Sequence, residues 1–208
     1  MPSVYQRIAN PFMPNGTPNL TNAPTPMYDP GELGRAFNDP NTGLTYLRVL
    51  LDSGATSSTT IGAVKAYQLA FWKDRLNNIV TNDPNFNDTG TPANCVNRVA
   101  GVFQTAVTTA PGVNNVQGVP VQYYCDLLIS GINQPVAALA ASTCVQGACV
   151  TADTEANILT GGGVVSLSTI VSGNLPDKVV LGICRSSGVS VATGVGTMNV
   201  DVAIGFID

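Results

Sequence analysis

The chain has no histidine among its 208 residues. That absence removes the usual general base near neutral pH, the middle member of Ser/His/Asp and Cys/His systems, and the commonest zinc ligand. Charge is scarce as well. Asp, Glu, Lys and Arg make up 11% of the residues, where about a quarter is usual. With 44% of residues hydrophobic, the surface must be built from Thr, Ser, Asn, Gln and Gly. Soluble monomers keep more charge than this, so such a surface suits a protein largely covered by neighbours. The few charges are unevenly placed. Residues 1–100 hold seven basic and seven acidic side chains, whereas residues 101–208 hold only Lys178 and Arg185 against six acids. No basic patch results, which argues against nucleic-acid binding through phosphates.

Other signals are missing too. No apolar run reaches the roughly 18 residues of a membrane span. The start, Met1 to Asn10, lacks the apolar core of a secretory signal. The expectation is a soluble chain made in a cytoplasm, with no membrane partner and with the sequons at Asn15, Asn19 and Asn87 carrying no meaning. Gly161 to Gly163 has no following Lys and no following helix, so it reads as a turn rather than a phosphate cradle. No cofactor or metal is expected. The five cysteines are Cys95, Cys125, Cys144, Cys149 and Cys184. Only Cys144 and Cys149 are close, at a spacing that matches no common zinc or redox motif. They read as buried small apolar side chains, with a Cys144–Cys149 hairpin bridge as the alternative.

What is present begins with an arm. Eight of the fourteen prolines lie in residues 1–43, as in Pro11-Phe12-Met13-Pro14 and Pro24-Thr25-Pro26-Met27-Tyr28. A segment with so little apolar periodicity cannot offset the entropy of ordering itself, and proline is excluded from helix interiors and central strands. Phe12, Met13, Leu20, Met27, Tyr28 and Phe37 are spaced along it as anchors. The arm is expected to lie extended across a neighbour, largely in polyproline conformation, with a disordered leader or interdomain linker as the alternative.

Residues 44–208 read as a single all-β body, a barrel or sandwich of short strands and hairpins with at most one short helix. Tyr46 to Leu51 is β-branched, aromatic and short, and runs into the turn Asp52-Ser53-Gly54. Ile61 to Phe71 fits a strand or a helical turn equally. Further strands are expected at Leu76–Thr81, Arg98–Gln104, Val119–Ile129 (ended by Ser130-Gly131), Val136–Ala141, Cys144–Thr151, Val164–Val171, Lys178–Cys184 and Met198–Phe206. The one helix signal is Thr151 as an N-cap with Asp153 and Glu155 in the first turn. Two stretches echo each other: Val99 to Val102 leading to Val121–Gly131, and Val180 to Ile183 leading to Val200–Gly205. Each reads as a hairpin whose first strand holds one glycine, the mark of a bulge or a close backbone approach.

One motif points to catalysis. Leu50-Leu51-Asp52-Ser53-Gly54-Ala55-Thr56 resembles the active-site turn of retroviral-type aspartic proteases, in which two carboxylates share a proton. Val179 to Ile183 resembles that family's apolar-Gly element, and Asp88-Thr89-Gly90-Thr91 is a second Asp-Thr-Gly. Against this, Asp88 follows the polar Asn85-Phe86-Asn87, the glycine element lies far beyond its place in compact proteases, and Asp-Ser-Gly is a common turn. The hairpin-turn reading is preferred and no catalytic residue is expected. A carbohydrate-binding domain would have only the aromatic cluster Tyr67 to Trp72 to work with.

Arg98-Val99-Ala100-Gly101-Val102-Phe103 and Tyr123 to Gly131, together with Tyr46–Gly54, Gly147–Ala152, Gly161–Val165 and Val179–Ile204, resemble the capsid decoration (cement) proteins of tailed bacteriophages. The resemblance covers most of the body but not the arm, and rests on Gly and Val at suitable spacing. It implies a small β-barrel-like body on the outside of an icosahedral shell. The partners would be the major capsid protein and copies of the chain itself, as trimers or at local symmetry axes, and no catalytic residues would be involved. The expected location is the virion surface, after assembly in the host cytoplasm. A tail or fibre component is the alternative.

Overall fold

The strand Thr45–Leu51 (β2) carries apolar side chains on both faces, and both faces are buried. Leu47, Val49 and Leu51 point to one side while Tyr46 and Arg48 point to the other. Such a strand belongs between two cores. The structure is a computed structural model describing residues 33–51, 64–82, 99–105, 123–139, 146–152, 164–166, 180–185 and 195–204. In it β2 pairs antiparallel with the long strand Tyr123–Leu139 (β6) and parallel with Ile79–Thr81 (β4). Leu69–Asp74 (β3) joins β4 to Val99–Val102 (β5), and β5 returns to β6. The circuit β2-β4-β3-β5-β6 is a closed five-stranded β-barrel. No helix occurs among the described residues.

A barrel this small is filled by its own side chains. Leu47, Val49, Leu51, Ala70, Val80, Ala100, Cys125, Leu127 and Ile129 form its interior with Val64 and Phe103. Each large aliphatic side chain fully buried in this way contributes about 1.5–3 kcal/mol. Burial pushes the Cys125 thiol far up, with the neighbouring Asp126 carboxylate adding to the effect, so this thiol stays protonated.

The remaining strands lie outside the barrel. Beyond Ser130, β6 pairs with Val195–Ala203 (β10), followed by Val180–Cys184 (β9), Cys149–Ala152 (β7) and Val164–Ser166 (β8). Leu69, Phe71, Val102 and Leu128 meet Val136, Ala138, Val150, Leu181, Met198 and Val200 in a second core. A short strand, Ala36–Asn38 (β1), runs antiparallel to the first half of β2.

Several expectations are corrected. Phe37 is 5% exposed in the chain's own core, stacked on Tyr46 at 5.9 Å with the Arg48 guanidinium 4.7 Å from its ring. It is not an anchor for a partner, because pairing β1 with β2 turns it inward. Residues 36–38, assigned to the arm, therefore supply a strand to the body. Phe12, Met13, Leu20, Met27 and Tyr28 lie outside the described residues.

Ser130-Gly131 does not end a strand. β6 continues through it because β10 takes up the pairing where β2 leaves off. Thr151 caps no helix, since it is fully buried within β7 between partners on β8 and β9. Residues 153–159 lie outside the described residues. The Leu76–Thr81 strand shortens to β4, because Asp74 accepts hydrogen bonds from the Asn77 backbone and side chain and Asn78 takes φ +56° to close a turn. Cys149 is a free thiol, so the Cys144–Cys149 bridge is not formed, and Cys184 is disulfide-bonded rather than a thiol.

The two glycine-bearing hairpins are present as antiparallel pairs, β5 with β6 and β9 with β10. Both glycines lie beside register shifts. A Cβ on Gly101 would sit 2.6 Å from Leu127 Cβ, and one on Gly182 would fall on the Asp201 carbonyl oxygen.

Candidate interaction groove

The long strand β6 bends where it passes from barrel to outer sheet. Gly131 pairs with Val202 and Gln134 with Val200, so Ile132 and Asn133 bulge out opposite the single residue Asp201. This is a bulge of the kind that re-aims side chains. Three interactions hold it. Asn133 adopts φ +56°, a conformation Asn tolerates better than most residues. Its N–H donates to Asp201 Oδ1 at 2.9 Å, and Gln134 Nε2 donates to the Ile132 carbonyl at 2.7 Å. The side chain left projecting is Ile132, which is 72% exposed.

On the other flank of β10, Ile183 of β9 lies opposite Asp201. Val180 and Ile183 are both exposed while Leu181 and Cys184 face the core. The shift in the β7 ladder between Val150 and Thr151 breaks strict alternation and places two β9 side chains outward three positions apart. Gly182 lets β9 approach β10 closely.

A third wall comes from the β1–β2 hairpin. Asp39 accepts from the Asn41 N–H and the Thr42 hydroxyl, Gly43 takes φ +77°, and the Thr45 hydroxyl donates to Asn38. Asn38, Gly43 and Thr45 thus stand beside Ser130 and Gly131. Together these elements enclose an open groove of about 590 Å³ with mostly apolar walls, Ile132, Val180 and Ile183 among them.

The groove's charge is internally neutralised. Arg185 Nε donates to Asp201 Oδ2. The Asn133 backbone N–H first, and then Arg185, hold the Asp201 carboxyl below its ordinary value of 3.8. A depressed folded pKa means that the contribution to holding the bend is complete above that ordinary value and is lost as pH falls through the lower folded one. The Asn133 amide resonance is therefore expected to hold steady down to mildly acidic pH and to shift with a midpoint below 3.8. Asp201→Asn is expected to abolish the titration. A midpoint at or above 3.8 would contradict the assignment.

Asp52 and Asp88 lie outside the described residues. The glycine-bearing strand β9 is flanked by β10 and β7 and is not a sheet neighbour of β2, the strand leading to Asp52. Phe71 belongs to the core and Trp72 packs against the barrel interior, so neither forms an open aromatic platform. No group of three or more metal-ligating side chains occurs among the described residues, and no described helix is long and apolar enough to cross a membrane. Sequence reasoning missed Ile132, Val180 and Ile183 as surface residues. The one signal for Ile132 was its position between Gly131 and the turn-prone Asn133. Val180 and Ile183 sit in an apolar run that reads as core.

The fold is that of an all-β barrel protein, with an open, mostly apolar recess beside the barrel. No family model, no curated protein and no solved structure matches the chain.

Proposed function

We propose that the protein is a non-enzymatic structural component of a virion, a capsid decoration protein that binds the outside of an icosahedral phage head and bridges its major capsid subunits. The observation that carries the reading is the apolar groove at Ile132, Val180 and Ile183 on a body with so few charges. Ile132, Val180 and Ile183 at one recess offer a neighbour an apolar surface to cover, and a charge-poor surface is costly for solubility unless neighbours cover it. The proline-rich arm and the resemblance to cement proteins support the same reading. Affinity would come from many modest contacts repeated over a closed shell.

The test is to mix the purified full-length chain with heads stripped of it and measure co-sedimentation, copy number and heat resistance of the shell. The expected result is saturable binding at a copy number tied to the shell lattice, with shells that rupture at higher temperature. A copy number tied to the tail, or no binding, would sink the proposal.

A further inference from the structure

We infer that the groove receives the N-terminal arm of a neighbouring copy of this chain, so that copies are strapped to one another through it. The inference deepens the reading above, which supplies the side-by-side copies, and it is tested apart from it.

Three observations carry it. The first is chemical match. The groove presents Ile132, Val180 and Ile183, the Thr45 hydroxyl on its wall is already bonded to Asn38, and the Asp201 carboxylate is already paired with Arg185. Its occupant should be apolar and uncharged. Residues 8–28 contain no charged side chain and include Phe12, Met13, Leu20, Met27 and Tyr28. Uncharged runs as long occur at residues 99–125, 127–152 and 156–176, but this one adds five prolines to its large apolar side chains. The prolines lower the entropy cost of docking an extended segment in a groove.

The second is direction. β1 enters at Ala36 and runs toward Asn38, and it is Asn38 that stands at the groove. Upstream, the Arg48 N–H donates to the Arg35 carbonyl at 3.2 Å and the Gly34 N–H to the Arg48 carbonyl at 2.8 Å. Gly34 and Arg35 therefore lie along β2 on the side away from the groove. The third is reach. In polyproline conformation, at about 3.1 Å per residue, the 32 residues before Leu33 could reach about 100 Å. A segment joined to the body on the side of β1 remote from the groove, with that reach, is suited to the groove of the next copy. Because arm and groove are different surfaces, the contact is heterologous and propagates from copy to copy, closing only where the lattice closes it.

The experiment uses the full-length chain with a photo-crosslinking phenylalanine analogue at Tyr28, mixed with isotopically heavy chain lacking the analogue. Samples are irradiated in concentrated solution and on decorated heads, and the crosslinked peptides are mapped by mass spectrometry. Crosslinks from light arm to heavy peptides holding Ile132 or Val180 to Ile183 are expected, and Ile183→Asp should reduce their yield at least tenfold. Ile183 is exposed, so that variant should keep the parent's thermal unfolding. A variant that does not is replaced by Ile132→Asp, with the same reduction expected. Crosslinks confined to light–light pairs would mean the arm folds back on its own groove, and would overturn the inference. So would crosslinks to capsid protein alone, or none in either preparation. Heads that bind the chain without the arm–groove crosslink would leave the proposed function standing and remove this inference. The crosslink in solution without head binding would do the reverse.

Discussion

Asp126→Ala is expected to destabilise the fold by about 3–5 kcal/mol, the cost of breaking a buried ion pair from one side. Asp126 and Arg48 are register partners on β6 and β2, 3% and 6% exposed. Arg48 Nε and Nη2 donate to the two carboxylate oxygens at 3.0 and 3.2 Å. The fork geometry satisfies both carboxylate oxygens at once, which makes such a pair tolerable away from water. Truncating Asp126 leaves the guanidinium buried without its bidentate acceptor, a penalty comparable to much of a domain's 5–15 kcal/mol of total stability. Arg48 also covers the Phe37 ring, so the loss should loosen β1 and with it the Asn38 wall of the groove. Urea unfolding of the variant measures the effect. The paired replacement Arg48→Met with Asp126→Leu is expected to recover part of the loss, because both charges of the pair are removed together. A single-variant loss below about 1 kcal/mol would show that water reaches the pair and that its burial is not what it costs to break.

Gly182→Ala is expected to cost about 3 kcal/mol, the top of the range for overpacking. A methyl group there would fall on the backbone carbonyl oxygen of Asp201 and within 2.8 Å of Val200 Cγ1. The first obstacle is main chain in a paired strand, so relief requires β9 and β10 to separate, and with them Ile183 from the groove. Gly147→Ala is the control. Gly147 has φ +83° and nothing within 4 Å of the added methyl, so its cost is conformational only, about 1–2 kcal/mol. Thermal or urea unfolding of both variants makes the comparison. Equal losses would mean that β9 yields to the methyl group and that the close approach at Gly182 is not a constraint.

These two sites differ in how far the sequence announces them. Gly182 is legible: a lone glycine inside an apolar run implies either a bulge or a close approach, and it has both. Gly101 follows the same logic. Arg48 and Asp126 are not legible, because a charge inside a strand reads as a solvent-facing position. Only the register of β2 on β6, joining residues 78 positions apart, turns two surface-like charges into one buried pair. The groove is hidden for a related reason. Ile132, Val180 and Ile183 are apolar residues that local pattern assigns to the core. Their exposure depends on the bulge that Asp201 imposes on β6 and on the register shift between β7 and β9.

By itself the sequence determined the class of fold, through short β-branched runs, glycine turns and the lack of helical periodicity. It also determined the scarcity of charge and the absence of histidine, properties that follow from composition and survive any arrangement in space. The tertiary structure alone decided closure into a five-stranded barrel, the continuity of β6 through Ser130-Gly131, the inward turn of Phe37 and the opening of the groove. Each of these is a matter of which strand pairs with which and in what register. Pairing joins residues far apart in the chain, and a shift of one residue exchanges the buried and exposed faces of a strand.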